Sequence, residues 1–492
     1  VYPGGTVPPL ELLLTTVAFA ADFGLRLAVA FRIVMRRRPL GETLSWLVVV
    51  LVIPFLGALI YLVVGESRLG TKRARLAAAY QPALERWVDA VARDREPEWE
   101  DRHRDASELA RLARATLHAP PLDGNGLELF EEVESTFRAL IHDIDGADRS
   151  VDLEYYIWWP GGTVDDIAQA LLRAAKRGVR CRVLVDAIGG KELLRGPWAN
   201  RLRAGGVEVV ASLPVGPVRS LFVRIDLRNH RKIAVIDHRI AYTGSHNLAD
   251  PRFFKQGAGV GQWVDATVRL EGPAVEVLAA VFEVDWHQET EEPLATLIPR
   301  DEDLRIPKMG PSVVQVLPSG PGSAPFAIQQ IVLSAIYAAS SELVLSSPYF
   351  VPDEPTLRAL ASAAYGGVRT VLIVPARNDH SMVELASQSS FDGLLAAGVE
   401  IWEYEAGLLH SKAIVIDRSI AFIGSLNMDM RSFWLNFEVT LLVNDDSFAA
   451  DLRGLLERYL VKSRRVDVDT WAGRPFRRRF LESVVRLAGP VL

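Results

Sequence analysis

Asn229 to Asn247 reads NHRKIAVIDHRIAYTGSHN, and Leu409 to Asn427 reads LHSKAIVIDRSIAFIGSLN. Ten of the nineteen positions are identical, at an offset of 410 − 230 = 180 residues. Both copies have the form H-x-K-x4-D-x6-G-S-x-N. The first supplies His230, Lys232, Asp237, Gly244, Ser245 and Asn247; the second supplies His410, Lys412, Asp417, Gly424, Ser425 and Asn427. Each apolar run alternates like a hairpin, with DHR or DRS at its turn. Residues two apart on a strand share a face, so His230 points with Lys232 and His410 with Lys412. Asp237 and Asp417 belong to the repeated catalytic set, but they fall at the turn on the opposite parity. A bracing role, by salt bridge or turn hydrogen bond, is expected of them.

The doubling extends outward. VDLEYYIW (Val151–Trp158), DDIAQALLRAAKRG (Asp165–Gly178), VRCRVLVD (Val179–Asp186) and LRAGGVEVV (Leu202–Val210) precede the first copy. ELVLSSPYFV (Glu342–Val351), EPTLRALASAAYGG (Glu354–Gly367), VRTVLIVP (Val368–Pro375) and LLAAGVEIW (Leu394–Trp402) precede the second. Short apolar strands alternating with helices predict an α/β fold of two tandem lobes. Each lobe is expected to be a mixed sheet flanked by helices, the two packing as a pseudo-two-fold pair. The lobes are expected at residues 123–288 and 312–466, joined by a linker rich in Glu, Asp and Pro at 289–311. Membrane segments at 1–66 and a charged helical connector at 67–122 precede them, and a basic amphipathic helix at 467–492 follows.

Thr43 to Gly65 (TLSWLVVVLVIPFLGALIYLVVG) carries no charge and predicts a membrane helix. Pro9 to Met35 is interrupted by Glu11, Asp22, Arg26 and Arg32, with Asp22 and Arg26 spaced to pair on one helix face. No basic stretch precedes this run and a second apolar segment follows, so a signal peptide is not expected. Val1 stands where a start methionine would, which predicts a trimmed N-terminus. Arg36–Arg38 lie before Thr43–Gly65, and Arg68, Lys72, Arg73 and Arg75 follow it. The positive-inside bias therefore asks for both flanks on one side, which predicts a re-entrant or interfacial hairpin somewhere in residues 9–65.

The chain has 492 residues and a net charge of −6, so no overall positive field draws it onto nucleic acid. Cys181 is the one cysteine, which excludes an internal disulfide and a thiolate zinc site. A neutral imidazole is a competent nucleophile and acid/base near pH 7. A neighbouring ammonium and amide bind anionic oxygens and stabilise the charge of phosphoryl transfer. Two facing copies give a nucleophile on one side of a phosphorus and a proton donor on the other. His230, His238 and His246 are evenly spaced, but Arg418 and Leu426 replace the last two in the second copy, so a metal site is not expected. A purely structural repeat would not explain why the polar motif positions recur while Arg231/Ser411 and Thr243/Ile423 are free to differ.

These residues resemble the phospholipase D superfamily, marked by a doubled HKD motif followed by G-S-x-N, over about Gly124 to Val466. Within it the chain is similar to the bacterial cardiolipin synthases. That likeness rests on LRNHRK at Leu227–Lys232, LEYYIW at Leu153–Trp158, SGP at Ser319–Pro321, PYFVPDE at Pro348–Glu354, the N-terminal apolar segments and the basic FLESVVRLAGPVL tail. It implies that two phosphatidylglycerol molecules give cardiolipin and glycerol at the cytoplasmic face of a bacterial inner membrane, with no metal, nucleotide or other cofactor and no nucleic-acid partner. It also implies that His230 forms a phosphatidyl-histidine while His410 acts as acid and base. Lys232, Lys412, Asn247 and Asn427, with Ser245 and Ser425 beside them, would hold the substrate. Asp265 and Glu438 would orient the imidazoles across the halves, Glu438 with His230 and Asp265 with His410. The spacing 265 − 230 = 35 exceeds 438 − 410 = 28, so an insertion holding Phe253, Phe254 and Lys255 separates the first pair. A hydrolase using the same histidines on phospholipid or nucleic acid is the alternative, and a lipid-binding scaffold is a third. A homodimer is left open.

Overall fold

The first strand of each expected lobe, Leu122–Phe130 (β1) and Ser312–Ser319 (β8), would leave a bare hydrogen-bonding edge on an isolated sheet. In the computed structural model these two edges pair with each other. The structure describes residues 10–36, 40–66, 69–99, 104–214, 216, 224, 226–292, 306–322, 324 and 326–486. Arg37, Arg38, Arg68, Leu487 and most of the expected linker lie outside the described residues.

The first lobe adds Ser150–Tyr155 (β2), Arg180–Asp186 (β3), Glu208–Ser212 (β4), Lys232–Ile236 (β5), Ile240–Gly244 (β6) and Thr267–Glu271 (β7). The second adds Glu342–Ser346 (β9), Arg369–Pro375 (β10), Glu400–Tyr404 (β11), Ala413–Ile416 (β12), Ile420–Gly424 (β13), Glu438–Asn444 (β14) and an edge strand Ser463–Arg465 (β15). The order is β15-β11-β10-β9-β12-β13-β14-β8-β1-β7-β6-β5-β2-β3-β4, a palindrome about the β8–β1 seam apart from β15. The seam is antiparallel, with Leu122 opposite Val314 and Asn125 opposite Ser312 around an irregularity. Asn125 fills it: its Nδ2 donates to Leu122 O at 2.7 Å and Ser312 O at 3.2 Å, and its Oδ1 accepts from Ala274 N at 2.8 Å. The two pseudo-symmetric α/β lobes are as expected, and their mixed sheets are continuous with one another. The duplication built one sheet of fifteen strands.

Helices cover both faces. On one face Thr71–Ala92, Ala274–Thr290 and Asp446–Val461 pack over strands of both lobes in one core that includes Trp87, Leu278, Val314, Leu441 and Leu456. On the other face the core divides, one cluster under each lobe. Part of the charged connector is thus a structural layer: its apolar stripe supplies Tyr80, Trp87 and Val91 to the shared core.

The described residues from 10 to 70, with 216, 224 and 226, form a unit of their own. Within that N-terminal unit, Leu10–Met35 is one helix, and among the described residues it alone is long and apolar enough to cross a membrane. Thr43–Gly65 is not a single helix. It breaks into Leu40–Val52 and Leu56–Val64 around Pro54, which has no N–H to give. Trp46 and Tyr61 are 15 residues apart, roughly 22 Å along a continuous helix, yet their ring centroids are 5.4 Å apart. The segment therefore folds back on itself. Asp22 and Arg26, which pair with each other, make the fold stable: Phe55 N donates to Asp22 Oδ1 at 2.6 Å, and Arg26 Nη1 donates to Leu51 O at 2.8 Å. Phe55 N–H and Leu51 C=O would be partners in an unbroken helix. The ion pair takes one each. At the other end, Arg32 and Arg36 donate to Glu66 at 2.6 and 3.2 Å, so the hairpin finishes beside the end of the long helix.

The C-terminal helix Phe476–Arg486 docks through Glu482 and Val485 and leaves Phe476, Phe480 and Val484 exposed among Arg477 and Arg479.

Candidate active site

Backbone hydrogen bonds carry each motif histidine into the opposite lobe. His230 N donates to Phe437 O at 2.9 Å, and Phe437 N donates to Arg228 O at 2.9 Å. His410 N donates to Val264 O at 2.7 Å, beside a short parallel pairing of Leu408–Leu409 with Trp263–Val264. The next residue along each receiving segment is a carboxylate. Glu438 Oε2 therefore meets His230 Nδ1 at 2.8 Å, and Asp265 Oδ1 meets His410 Nδ1 at 2.6 Å. The structure brings together both pairs named from the sequence, despite the longer spacing to Asp265.

Glu438 is held further by Ser425, whose Oγ donates to Oε2 at 2.5 Å, and by Asn436, whose Nδ2 donates to Oε1 at 3.1 Å. Ser245 has no carboxylate to serve. Its Oγ donates to Ala266 O at 3.2 Å and accepts from Ala266 N at 2.9 Å, locking β6 to the approach to β7. Both serines are fully buried, and their hydroxyls are hydrogen-bonded to protein groups.

Burial pushes both imidazoles down, His230 to about 4 and His410 to about 3, against the opposing pull of the carboxylates. Each ring is neutral in the empty site, with its Nδ1–H donating to the carboxylate and its Nε2 lone pair free. Glu438 and Asp265 stay ionised, because the facing imidazoles and lysines outweigh their own desolvation. Burial likewise lowers Lys232 to about 7 and Lys412 to about 8. Their ammonium groups donate to His230 O at 2.5 Å and His410 O at 2.6 Å, which fixes the turn of chain carrying each ring.

Both rings open on one cavity of about 540 Å³. Asn247 and Asn427 line it. Asn247 Oδ1 accepts from Ile157 N at 3.1 Å, while its Nδ2 is buried with no hydrogen-bond partner among the described residues. Asn427 carries a similarly unsatisfied Oδ1. Unpaired buried amides in a polar cavity are groups waiting for a ligand atom. Asp237 and Asp417 are elsewhere: seven residues of strand put Asp237 roughly 20 Å from His230. Asp237 accepts from the backbone N–H of Asp148, Arg149 and Ser150 at 2.7–2.8 Å. Asp417 accepts from the N–H of Ser340, Ser341 and Glu342 at 2.8 Å. They brace turns, Asp237 the one that leads into β2 and Asp417 the one that leads into β9.

His238 and His246 do not join His230. His238 Nδ1 lies 3.1 Å from Glu276, and His246 Nδ1 lies 2.8 Å from Thr267 Oγ1. Asp152, His238 and Glu283 cluster closely, but Arg182 already sits there, its Nε donating to Asp152 at 2.6 Å and its Nη2 to Glu283 at 2.5 Å.

Sequence reasoning missed part of the wall. Tyr156 lies 5.0 Å from the His230 ring, and Trp263 and Tyr349 lie 4.3 and 6.3 Å from the His410 ring. Arg228, Arg431, Lys255 and His380 also line the cavity. Tyr156 and Tyr349 stand within LEYYIW and PYFVPDE, and Lys255 within the insertion, so the signal was adjacency to recognised stretches rather than repetition. In that insertion Phe254 is buried against Trp159 and Trp263, and Phe253 is exposed.

Two lobes that each brace the other's histidine, over one polar cavity, define a phospholipase D-type transferase. The family described as "Cardiolipin synthase, PLD-like domain" matches residues 140–286 and 332–460, and "Phospholipase_D-nuclease N-terminal" matches residues 24–66. Cardiolipin synthase A of Erwinia tasmaniensis is 40% identical over 481 residues, covering 97% of this chain and 99% of that protein. Cardiolipin synthase A of Yersinia pseudotuberculosis is 40% identical over 487 residues, with the same coverage. The crystal structure of phosphatidylserine synthase from Haemophilus influenzae shares the fold, with a TM-score of 0.59 at 14% identity, over 78% of this chain and 100% of that one. This chain belongs to the cardiolipin synthase family.

Proposed function

We propose that the protein transfers a phosphatidyl group between two phosphatidylglycerol molecules, giving cardiolipin and glycerol. His230 Nε2 attacks the donor phosphorus. The P–O bond to the headgroup glycerol breaks, and His410 gives that oxygen a proton. The bound phosphodiester anion, together with Asp265, stabilises the imidazolium this step needs. In the second half His410 Nε2 takes the proton from the primary hydroxyl of the acceptor, the new P–O bond forms, and the P–N bond to His230 breaks. Each half returns His410 to its starting state for the other. Lys232, Lys412, Asn247 and Asn427 are the groups assigned to the phosphate oxygens, whose charge grows at the transition state.

The observation that carries this reading is the crossed pair of carboxylate–imidazole contacts over one cavity. Purified protein with phosphatidylglycerol liposomes is the test. Equimolar cardiolipin and glycerol support the transferase, whereas phosphatidic acid and glycerol mean that water takes the acceptor's place.

We further propose that the catalytic lobes work at the cytoplasmic face of a bacterial inner membrane, with the Leu40–Val64 hairpin entering and leaving the bilayer on one side. Its arms of 13 and 9 residues are each shorter than the ~20 needed to cross. The exposed Phe476, Phe480 and Val484 of the basic C-terminal helix suit an anionic lipid surface.

A further inference from the structure

The duplication makes two equivalent half-sites, but the two lipids of the proposed reaction are not equivalent. The acceptor must present a hydroxyl to His410 while its own phosphate, at the far end of the same glycerol, is lodged somewhere in the cavity. An uncompensated phosphate against a partly buried wall would be costly. The asymmetry between the lobes lies on the His410 side. In the first lobe the carboxylate stands 35 positions after the histidine, against 28 in the second. The extra length carries Lys255, whose backbone is left-handed at φ 46°.

Lys255 reaches across to the second lobe, where Nζ donates to Asp379 Oδ2 at 2.8 Å. Asp379 is buried and also accepts from Tyr349 OH at 3.0 Å, so one carboxylate fixes both side chains. Nζ lies 5.4 Å from the Trp263 ring centroid, and Trp263 lies against the His410 ring. The Lys255 side chain lines the cavity and is 38% exposed, and its ammonium has donors to spare beyond the one used on Asp379. His380, exposed and lining the same wall, stands 3.8 Å from Asp379. A lysine pinned by a buried carboxylate and an aromatic face, next to the acid/base histidine, is a preorganised anion site.

We propose that Lys255, positioned by Asp379, binds the phosphate of the acceptor phospholipid, and so makes a charged lipid rather than water or a simple alcohol the preferred partner of the phosphatidyl-histidine. This rests on the transferase reading above. The bonds made and broken are those of the second half-reaction; Lys255 forms none of them and acts by binding.

The test gives purified full-length protein a fixed phosphatidylglycerol donor and measures two products together, cardiolipin and the phosphatidyl ester of added 1-propanol, an acceptor without phosphate. Lys255→Ala is expected to lower the ratio of cardiolipin to propyl ester by about 10–100-fold, the worth of one charge-assisted hydrogen bond, through a raised KM for acceptor phosphatidylglycerol. Lys255→Arg keeps the cation and is expected to restore most of that ratio. A ratio unchanged in Lys255→Ala, or no recovery in a folded Lys255→Arg, overturns the assignment. Wild-type protein that forms the propyl ester but no cardiolipin would instead overturn the proposed function.

Discussion

The roles proposed for His230 and His410 differ, and single substitutions separate them. His230→Ala and His410→Ala are each expected to lower cardiolipin formation by at least about 10⁴-fold, because they act in one cycle. With a donor whose leaving group needs no proton, such as a p-nitrophenyl phosphodiester, His410→Ala should still release one equivalent of nitrophenol in a burst. His230→Ala should release none. A burst from His230→Ala would reverse the assignment. The lysines set a pH limit in the other direction. Lys232 at about 7 and Lys412 at about 8 lose their protons as pH rises through that range in the empty enzyme, removing the charge that attracts phosphate. kcat/KM, which reports free-enzyme groups, is expected to fall from pH 7 to 9, and a flat profile across that range would count against a phosphate-binding role. The histidines, lysines and asparagines were readable in the sequence because they recur with their spacing. Ser245 and Ser425 recur too, and recurrence alone does not separate a buried hydroxyl that locks a strand from one that touches a ligand.

The turn aspartates make their prediction at the level of the hairpin. Asp237→Ala strands three backbone donors, at Asp148, Arg149 and Ser150. A loss of roughly 2–3 kcal/mol is expected, seen as a lower Tm, with kcat of the folded protein within a few-fold of wild type. A large fall in kcat without a fall in Tm would return Asp237 to the chemistry. The strand hairpins were legible from their alternation. The break at Pro54 was not, because an uncharged run measures hydropathy and says nothing of where backbone hydrogen bonds go. The clue lies outside it, in Asp22 and Arg26, whose spacing by itself reads as a pair neutralising each other within one helix. Single cysteines at Leu44 and Leu69 are expected to react with a membrane-impermeant thiol reagent from the same side of the bilayer; reaction from opposite sides would eliminate the hairpin.

Across the whole molecule, the pseudo-symmetry of the chain announced two lobes but concealed how they join. LDGNGLELF, the β1 sequence, is short of apolar alternation and rich in glycine, so nothing in it specified a partner. Its bulge at Gly124 (φ 98°) and the three hydrogen bonds of Asn125 make the seam, and these are tertiary facts. The cavity wall was hidden for a related reason: Arg228, Lys255, His380 and Arg431 have no counterparts at the equivalent positions of the other copy, and only the meeting of the lobes puts them together.

Continuity of the sheet through β8 and β1 also means that neither half is viable by itself. Cut within the stretch from 293 to 305 and separate the fragments, and each exposes a raw strand edge, part of a common core, and a catalytic ring robbed of its carboxylate. Fragments expressed apart should therefore aggregate and show no turnover, whereas co-expressed fragments should find each other and recover it. An active first fragment alone would contradict the division of labour across the seam.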